Sequence, residues 1–277
     1  EDPHEFTNVL GIEGIKLMYA EGRQTPLNFM LRVPGRVPGT TKEIETSGGE
    51  LTLEDTKELL QWDEAVCLAG DINPYLVLSK DDSQFEKYDY TKSLGKTIGG
   101  QATTLHENAL NAFIAAGPEE THTTKNLEET LNVIRRGMRV LITHRPHKLS
   151  AKDFKKIAEY INRHRIDTRF LLFCSDDVHA NLFELEGHLD YRIRLAISQG
   201  FDPVTAIQMA TINVADCYRI DRDYGSISPG KYADIVLLDD LEKVIVDKVF
   251  VHGKLTVDDG EMVEQPTPFQ YPSWAKE

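Results

Sequence analysis

The stretch "FLLFCSDDVH", residues 170–179, runs through six residues fit for a buried strand, Phe170 to Ser175, and then delivers Asp176, Asp177 and His179 within four positions. Other strand-like runs end in the same way. "AVCLAG" is followed by Asp71 and Asn73, "KTIGG" by Gln101, "EET" by His122 and "RVLIT" by His144. Imidazole nitrogen and carboxylate oxygen converging from several strand ends suit a divalent transition metal. Such an ion acidifies bound water, and a neighbouring carboxylate can take the proton. A second reading stands beside the first: Asp177 caps the turn that follows and Asp176 pairs with a basic neighbour.

The elements that must position these groups alternate along the chain. Helical patterns cover "TNVLGIEGIKLMYAEG", "TLEDTKELLQW", "SQFEKYDYTKSLG", "HENALNAFIAAG", "NLEETLNVIRRG" and "SAKDFKKIAEYINRHR". Between them lie the strand-like "LNFMLRV", "AVCLAG", "KTIGGQ", "EETH", "RVLITH" and the run from Phe170. Thr52 and Ser150 are expected helix N-caps. Two further helices are expected after Asp177. The second, "DPVTAIQMATINVADCY", starts with Asp202 as cap and Pro203 in the first turn, with Val204, Ile207, Thr211 and Val214 on one face and Met209 as packing. Repeated strand–helix units predict an α/β fold, a TIM-like (β/α) barrel over residues 1–220 whose chemistry gathers where strands end. From about residue 221 the chain becomes turn-rich and β-branched, which predicts a small β appendage over 221–277.

Composition narrows the partners. A chain of 277 residues with 40% hydrophobic and 27% charged residues is that of an ordinary soluble protein. Its formal charge of −14 argues against nucleic acid and anionic membrane. Cys67, Cys174 and Cys217 have no CxxC spacing and predict reduced thiols in a cytoplasmic protein. The sequence has no G-x-S-x-G elbow, no phosphate loop and no H-E-x-x-H helix.

The remaining histidines have plainer expectations. His4 and Glu5 are placed at a strand tip, His106 and His188 at helix starts, His147 and His164 on the surface, and His252 in the hairpin turn "VHGK". The chain opens on "EDPHEF" without methionine and closes on "YPSWAKE", which suggests a fragment.

"DPHEFTNVLGIEGI", "ETSGGELTLED", "LNAFIAAG", "FCSDDVH", "EGHLDYRIRLAISQGFDPVTAIQMATINVAD" and "GSISPGKYADIVLLDDLEKVIVDKVFVHGKL" together resemble the adenine deaminase family of the amidohydrolase superfamily. The likeness runs over nearly the whole chain. It implies a metal-dependent barrel, its first strand absent here, with a β-sandwich of which 221–277 is part. It implies hydrolytic deamination of adenine to hypoxanthine and ammonia, a step of purine salvage, with manganese the favoured ion and iron or zinc as alternatives. Asp176 matches the family's proton-carrying, metal-binding aspartate and His122 a metal-binding histidine.

The sequence departs from this pattern. A His-x-His pair should precede "DPHE". Gly70 stands where the family has a glutamate ligand, with Asp71 beside it as a possible substitute, and Gln101 stands where it has histidine. Asp177, His179, His4 and Glu5 are further polar groups near the expected site. Alternatives to the deaminase are a non-catalytic small-molecule-binding relative and a one-metal amidohydrolase acting on a different heterocycle. Unpaired edges such as "VIVDKVFV" predict self-association, with a homo-oligomer as one outcome.

Overall fold

Strands and helices alternate as the sequence periodicity requires. The structure, a computed structural model, describes residues 2–40, 43–70, 74–102, 104–143 and 149–275. The chain begins with α1 (His4–Leu10) and α2 (Ile12–Gly22), then β1 (Leu31–Val33), α3 (Leu53–Leu60), β2 (Ala65–Leu68), α4 (Pro74–Leu78) and α5 (Asp82–Ser93). There follow β3 (Thr97–Gly100), α6 (Glu107–Ala116), β4 (Glu120–Thr121), α7 (Leu127–Ile134), β5 (Arg139–Ile142), α8 (Ala151–His164) and β6 (Leu171–Phe173). Next come α9 (Ala180–Glu186), α10 (Leu189–Ser198), α11 (Pro203–Ala210) and α12 (Ile212–Cys217), and last β7 (Ile235–Asp240), β8 (Ile245–Val251), β9 (Lys254–Asp258) and β10 (Glu261–Met262). No helix among the described residues is long and apolar enough to cross a membrane.

Helix starts follow local hydrogen-bonding rules. Thr52 opens α3 with a capping box: its hydroxyl accepts from the Asp55 N–H, and the Asp55 carboxylate accepts from the Thr52 N–H. Ser150 and Asp202 cap α8 and α11, with Pro203 in the first turn of α11. Helix continuity was less predictable. The helix expected over residues 7–22 is two, because Gly11 takes φ +60° and its N–H returns to the Thr7 carbonyl. The helix expected over 202–218 breaks at Thr211, and four helices rather than two follow Asp177. Its expected apolar face is also displaced: Ala206 and Met209 are fully buried, whereas Val204 is 53% exposed. β1 and β6 are shorter than the runs "LNFMLRV" and "FLLFCS", and Phe170 belongs to a 3-10 turn.

The first six strands form one parallel sheet in consecutive order, β1-β2-β3-β4-β5-β6. Alternation along each strand sorts side chains into two layers. Val140, Ile142, Leu171 and Phe173 join the large core beneath the helices. Leu141 and Leu172 join a smaller cluster with Cys67, Cys217 and Tyr218 on the other face. That second face is concave. Arg32 on β1 contacts Glu120 on β4 at 2.6 Å, although three strand spacings of ~4.8 Å separate their backbones along the sheet. This curl is that of an α/β barrel, with β1 and β6 at its open edges among the described residues. The end of α12 and the segment after it floor the concavity at the strands' starting ends: the Thr97 hydroxyl donates to the Cys217 carbonyl at 2.7 Å, and Arg219 pairs with Glu119 at 2.7 Å.

β7 to β10 form a separate antiparallel sheet in the order β10-β9-β8-β7. "VIVDKVFV", expected to present an unpaired edge, is the inner strand β8, bonded to β7 and β9. The edges are β7 and the two-residue β10. Asn28, just before β1, ties this sheet to the parallel one by donating to Asp234 and meeting the His252 ring, each at 2.6 Å.

Candidate active site

The C-terminal ends of β3, β4 and β6 bring Gln101, His122 and Asp176 to one edge of the parallel sheet. His122 follows the very short β4, and hydroxyl groups fix its neighbours. Thr121 sits in register with Gly100. Its hydroxyl accepts from the Ala102 N–H at 3.1 Å and shares a 3.0 Å hydrogen bond with the Thr123 hydroxyl. This stitch binds the loop carrying Gln101 to the turn carrying His122, and both side chains are half-buried.

Asp176 leaves β6 with φ +56°, a left-handed conformation that Asp tolerates better than most residues. Its N–H donates to Cys174 Sγ at 3.3 Å, and its Oδ1 accepts from the Asp177 N–H at 2.9 Å. The half-buried Asp176 is thus fixed by its own turn, while Asp177 and His179 are exposed. The N-cap position of α9 is held by His179, without a side-chain capping bond. His106 and His188 likewise occupy N-cap positions without such bonds.

His4 and Glu5 belong to the first turn of α1 rather than to a strand tip. Glu5 is exposed, and His4 lies against Gly39 in the loop that leaves β1. Asp71, Asn73, His144 and His147 fall outside the described residues.

Sequence reasoning missed the ion pair behind these tips. The Arg32–Glu120 pair spans the concave face, with Glu120 fully buried and Arg32 15% exposed. Tyr218 lies 5.8 Å from the guanidinium, ring centroid to Cζ. Burial works against the Arg32 charge, but the Tyr218 phenol and the Glu120 carboxylate more than reverse it and hold the guanidinium firmly protonated. Burial pushes the Cys67 thiol up to about 11, so it is not a reactive thiolate. The signals available were one cation inside the apolar "FMLRV" and one acid two residues before His122.

Glycines make room for this pair. A Cβ at Gly99 would stand 2.6 Å from Glu120 Oε1 and 2.8 Å from the Gly70 nitrogen. A Cβ at Gly70 would stand 3.0 Å from both the nitrogen and the oxygen of Gly100, so the end of β3 would have to give by a few tenths of an ångström to admit a side chain there. Of the ligand positions implied by resemblance, His122 and Asp176 carry suitable donors, Gln101 offers only an amide and position 70 offers nothing. Among the described residues, no three His, Cys, Asp or Glu side chains form a group able to hold a metal ion. Structural and catalytic zinc sites take three or four protein ligands. The described residues do not fit the implied metal centre.

A curled parallel sheet with polar groups at its C-terminal edge is the arrangement of an α/β-barrel protein. The model of the amidohydrolase family matches residues 1–256, and the chain belongs to that family. It is 36% identical over 272 residues to an adenine deaminase of Clostridium botulinum, covering 98% of this chain and 45% of that protein. It is also 36% identical over 278 residues to adenine deaminase 3 of Rhizobium meliloti, covering 99% of this chain and 46% of that one. The chain thus spans somewhat under half the length of these curated relatives. Among solved structures, N-acetyl-D-glucosamine-6-phosphate deacetylase from Mycobacterium smegmatis superposes with a TM-score of 0.62 at 13% identity, over 93% of this chain and 73% of that one. A zinc-bound adenosine deaminase from Xanthomonas campestris gives a TM-score of 0.50 at 17% identity, over 76% and 56% of the two chains. These two likenesses are of fold.

Proposed function

We propose that this chain is part of an adenine-deaminase-type hydrolase, in which water replaces the ring amino group of adenine to give hypoxanthine and ammonia. The observation that carries this reading is the 36% identity to proteins named adenine deaminase, continuous across 98% of the chain. Asp176 takes the proton of the attacking water and returns it to the departing amine, a role suited to a half-buried carboxylate fixed by its own turn. Gln101, beside His122, offers one acceptor and two donor hydrogens to the ring edge. The barrel portion ends near residue 220, and 221–277 is the sandwich portion, which the change from parallel to antiparallel pairing supports. The three free cysteines agree with a reduced, cytoplasmic setting, and purine salvage is the process this reaction would serve.

A second reading is favoured by Gly70 and Gln101, which offer no carboxylate and no imidazole at their positions: a relative that binds an amino-substituted heterocycle without turning it over. One experiment separates the two. The full chain is incubated with adenine, with and without added manganese, while ammonia and hypoxanthine are followed together. Equal appearance of both products is expected. Adenine binding by calorimetry with no ammonia released would reject the deaminase and support the binder.

A further inference from the structure

Strand β4 holds only two residues, Glu120 and Thr121. They sit in register with Gly99 and Gly100, and Gln101 and His122 leave the sheet side by side just beyond them. The β3–β4 ladder stops there, and the Thr121 side chain continues it. Its Oγ1 accepts from the Ala102 N–H at 3.1 Å, shares a 3.0 Å hydrogen bond with the Thr123 hydroxyl and receives the Thr123 N–H at 3.4 Å. Ala102 and Thr123 are the residues directly after Gln101 and His122. One oxygen atom therefore fastens the chain just past each of the two groups. The outer end of the turn is held as well, because the Thr124 hydroxyl meets that of Thr130 on α7 at 3.3 Å. Thr121 is fully buried, so water does not compete for its oxygen.

We infer that Thr121 is a positioning residue for substrate recognition: its hydroxyl oxygen holds Gln101 beside His122, where the Gln101 amide meets the edge of an adenine ring. Thr121 thereby sets affinity for the ring rather than the rate of proton transfer at Asp176. The inference rests on the adenine reading of this site, whether the ring is turned over or only bound. A hydroxyl that served the sheet alone would affect melting and leave affinity for the ring unchanged.

The test compares wild type, Thr121→Val and Thr121→Ser, each with and without Gln101→Ala. Adenine KM and kcat are read where turnover is seen, and adenine Kd by calorimetry where it is not. Thr121→Val keeps the bulk of the side chain and leaves the Ala102 N–H without its acceptor. It is expected to raise KM or Kd about 10-fold, the effect of roughly one lost hydrogen bond, with kcat little changed. Thr121→Ser keeps the oxygen and is expected to stay close to wild type. In the Gln101→Ala background the loss caused by Thr121→Val is expected to vanish, because residues that act through one contact are not additive. Unchanged affinity in Thr121→Val, an equal loss in Thr121→Ser, or an equal loss with and without the Gln101 side chain would each overturn the inference and leave the adenine reading standing. Wild type that neither binds nor deaminates adenine would overturn both. Should Thr121→Val fail to fold, Thr121→Ala removes the same oxygen and is read in the same way.

Discussion

At the scale of single residues, the buried pair is the most consequential feature of the concave face. Glu120→Gln would leave the Arg32 guanidinium facing a neutral amide in a largely dry interior. Breaking a buried pair by removing one partner costs about 3–5 kcal/mol, which a urea titration would register as a lowered midpoint. Gly99→Ala is expected to cost about 1–3 kcal/mol in the same titration, because its methyl group would meet both a carboxylate and a strand backbone. That His122 and Asp176 follow strand ends was legible in the sequence, since each comes after a run read as a strand. The Arg32–Glu120 pair was not. A charge within a strand reads as facing solvent unless its partner is known, and that partner lies 88 positions away.

At the scale of elements, cap chemistry was readable because it is local. Thr52, Ser150 and Asp202 each bond an N–H three residues on. Thr52→Ala should remove the α3 capping box and cost about 1 kcal/mol in denaturant unfolding. The start of α10 was read less well: His188 holds the cap position, but the Asp190 carboxylate receives the His188 N–H at 2.7 Å and pairs with Arg194 at 2.7 Å. Burial raises the Asp190 carboxyl, but these two partners outweigh it and set it below its usual value of 3.8. Its contribution is therefore present above pH 3.8 and is lost as pH falls through the lower folded value. Wild type should exceed Asp190→Asn in urea midpoint at pH 6, and the gap should close progressively below pH 3.8. The breaks at Gly11 and Thr211 were invisible to periodicity, because apolar spacing continues through both while the backbone does not.

At the scale of the whole molecule, alternation of strand and helix sufficed for the barrel class. Strand order could not show which edges stay open. Self-association was expected from β8, which is paired on both sides; the exposure belongs to the edge strand β7, where Val236 is 53% and Leu237 43% exposed. Val236→Lys should reduce any concentration-dependent self-association seen by light scattering, since charge on an edge strand opposes edge-to-edge pairing. The central functional claim is that the parallel sheet holds Asp176 where it can carry a proton to and from a purine. Hypoxanthine formation from adenine, compared between wild type and Asp176→Asn, tests it most directly. Turnover by wild type is expected, with a rate lower by roughly 10²-fold or more in the variant and an unchanged thermal melt. Equal rates in the two proteins would contradict it.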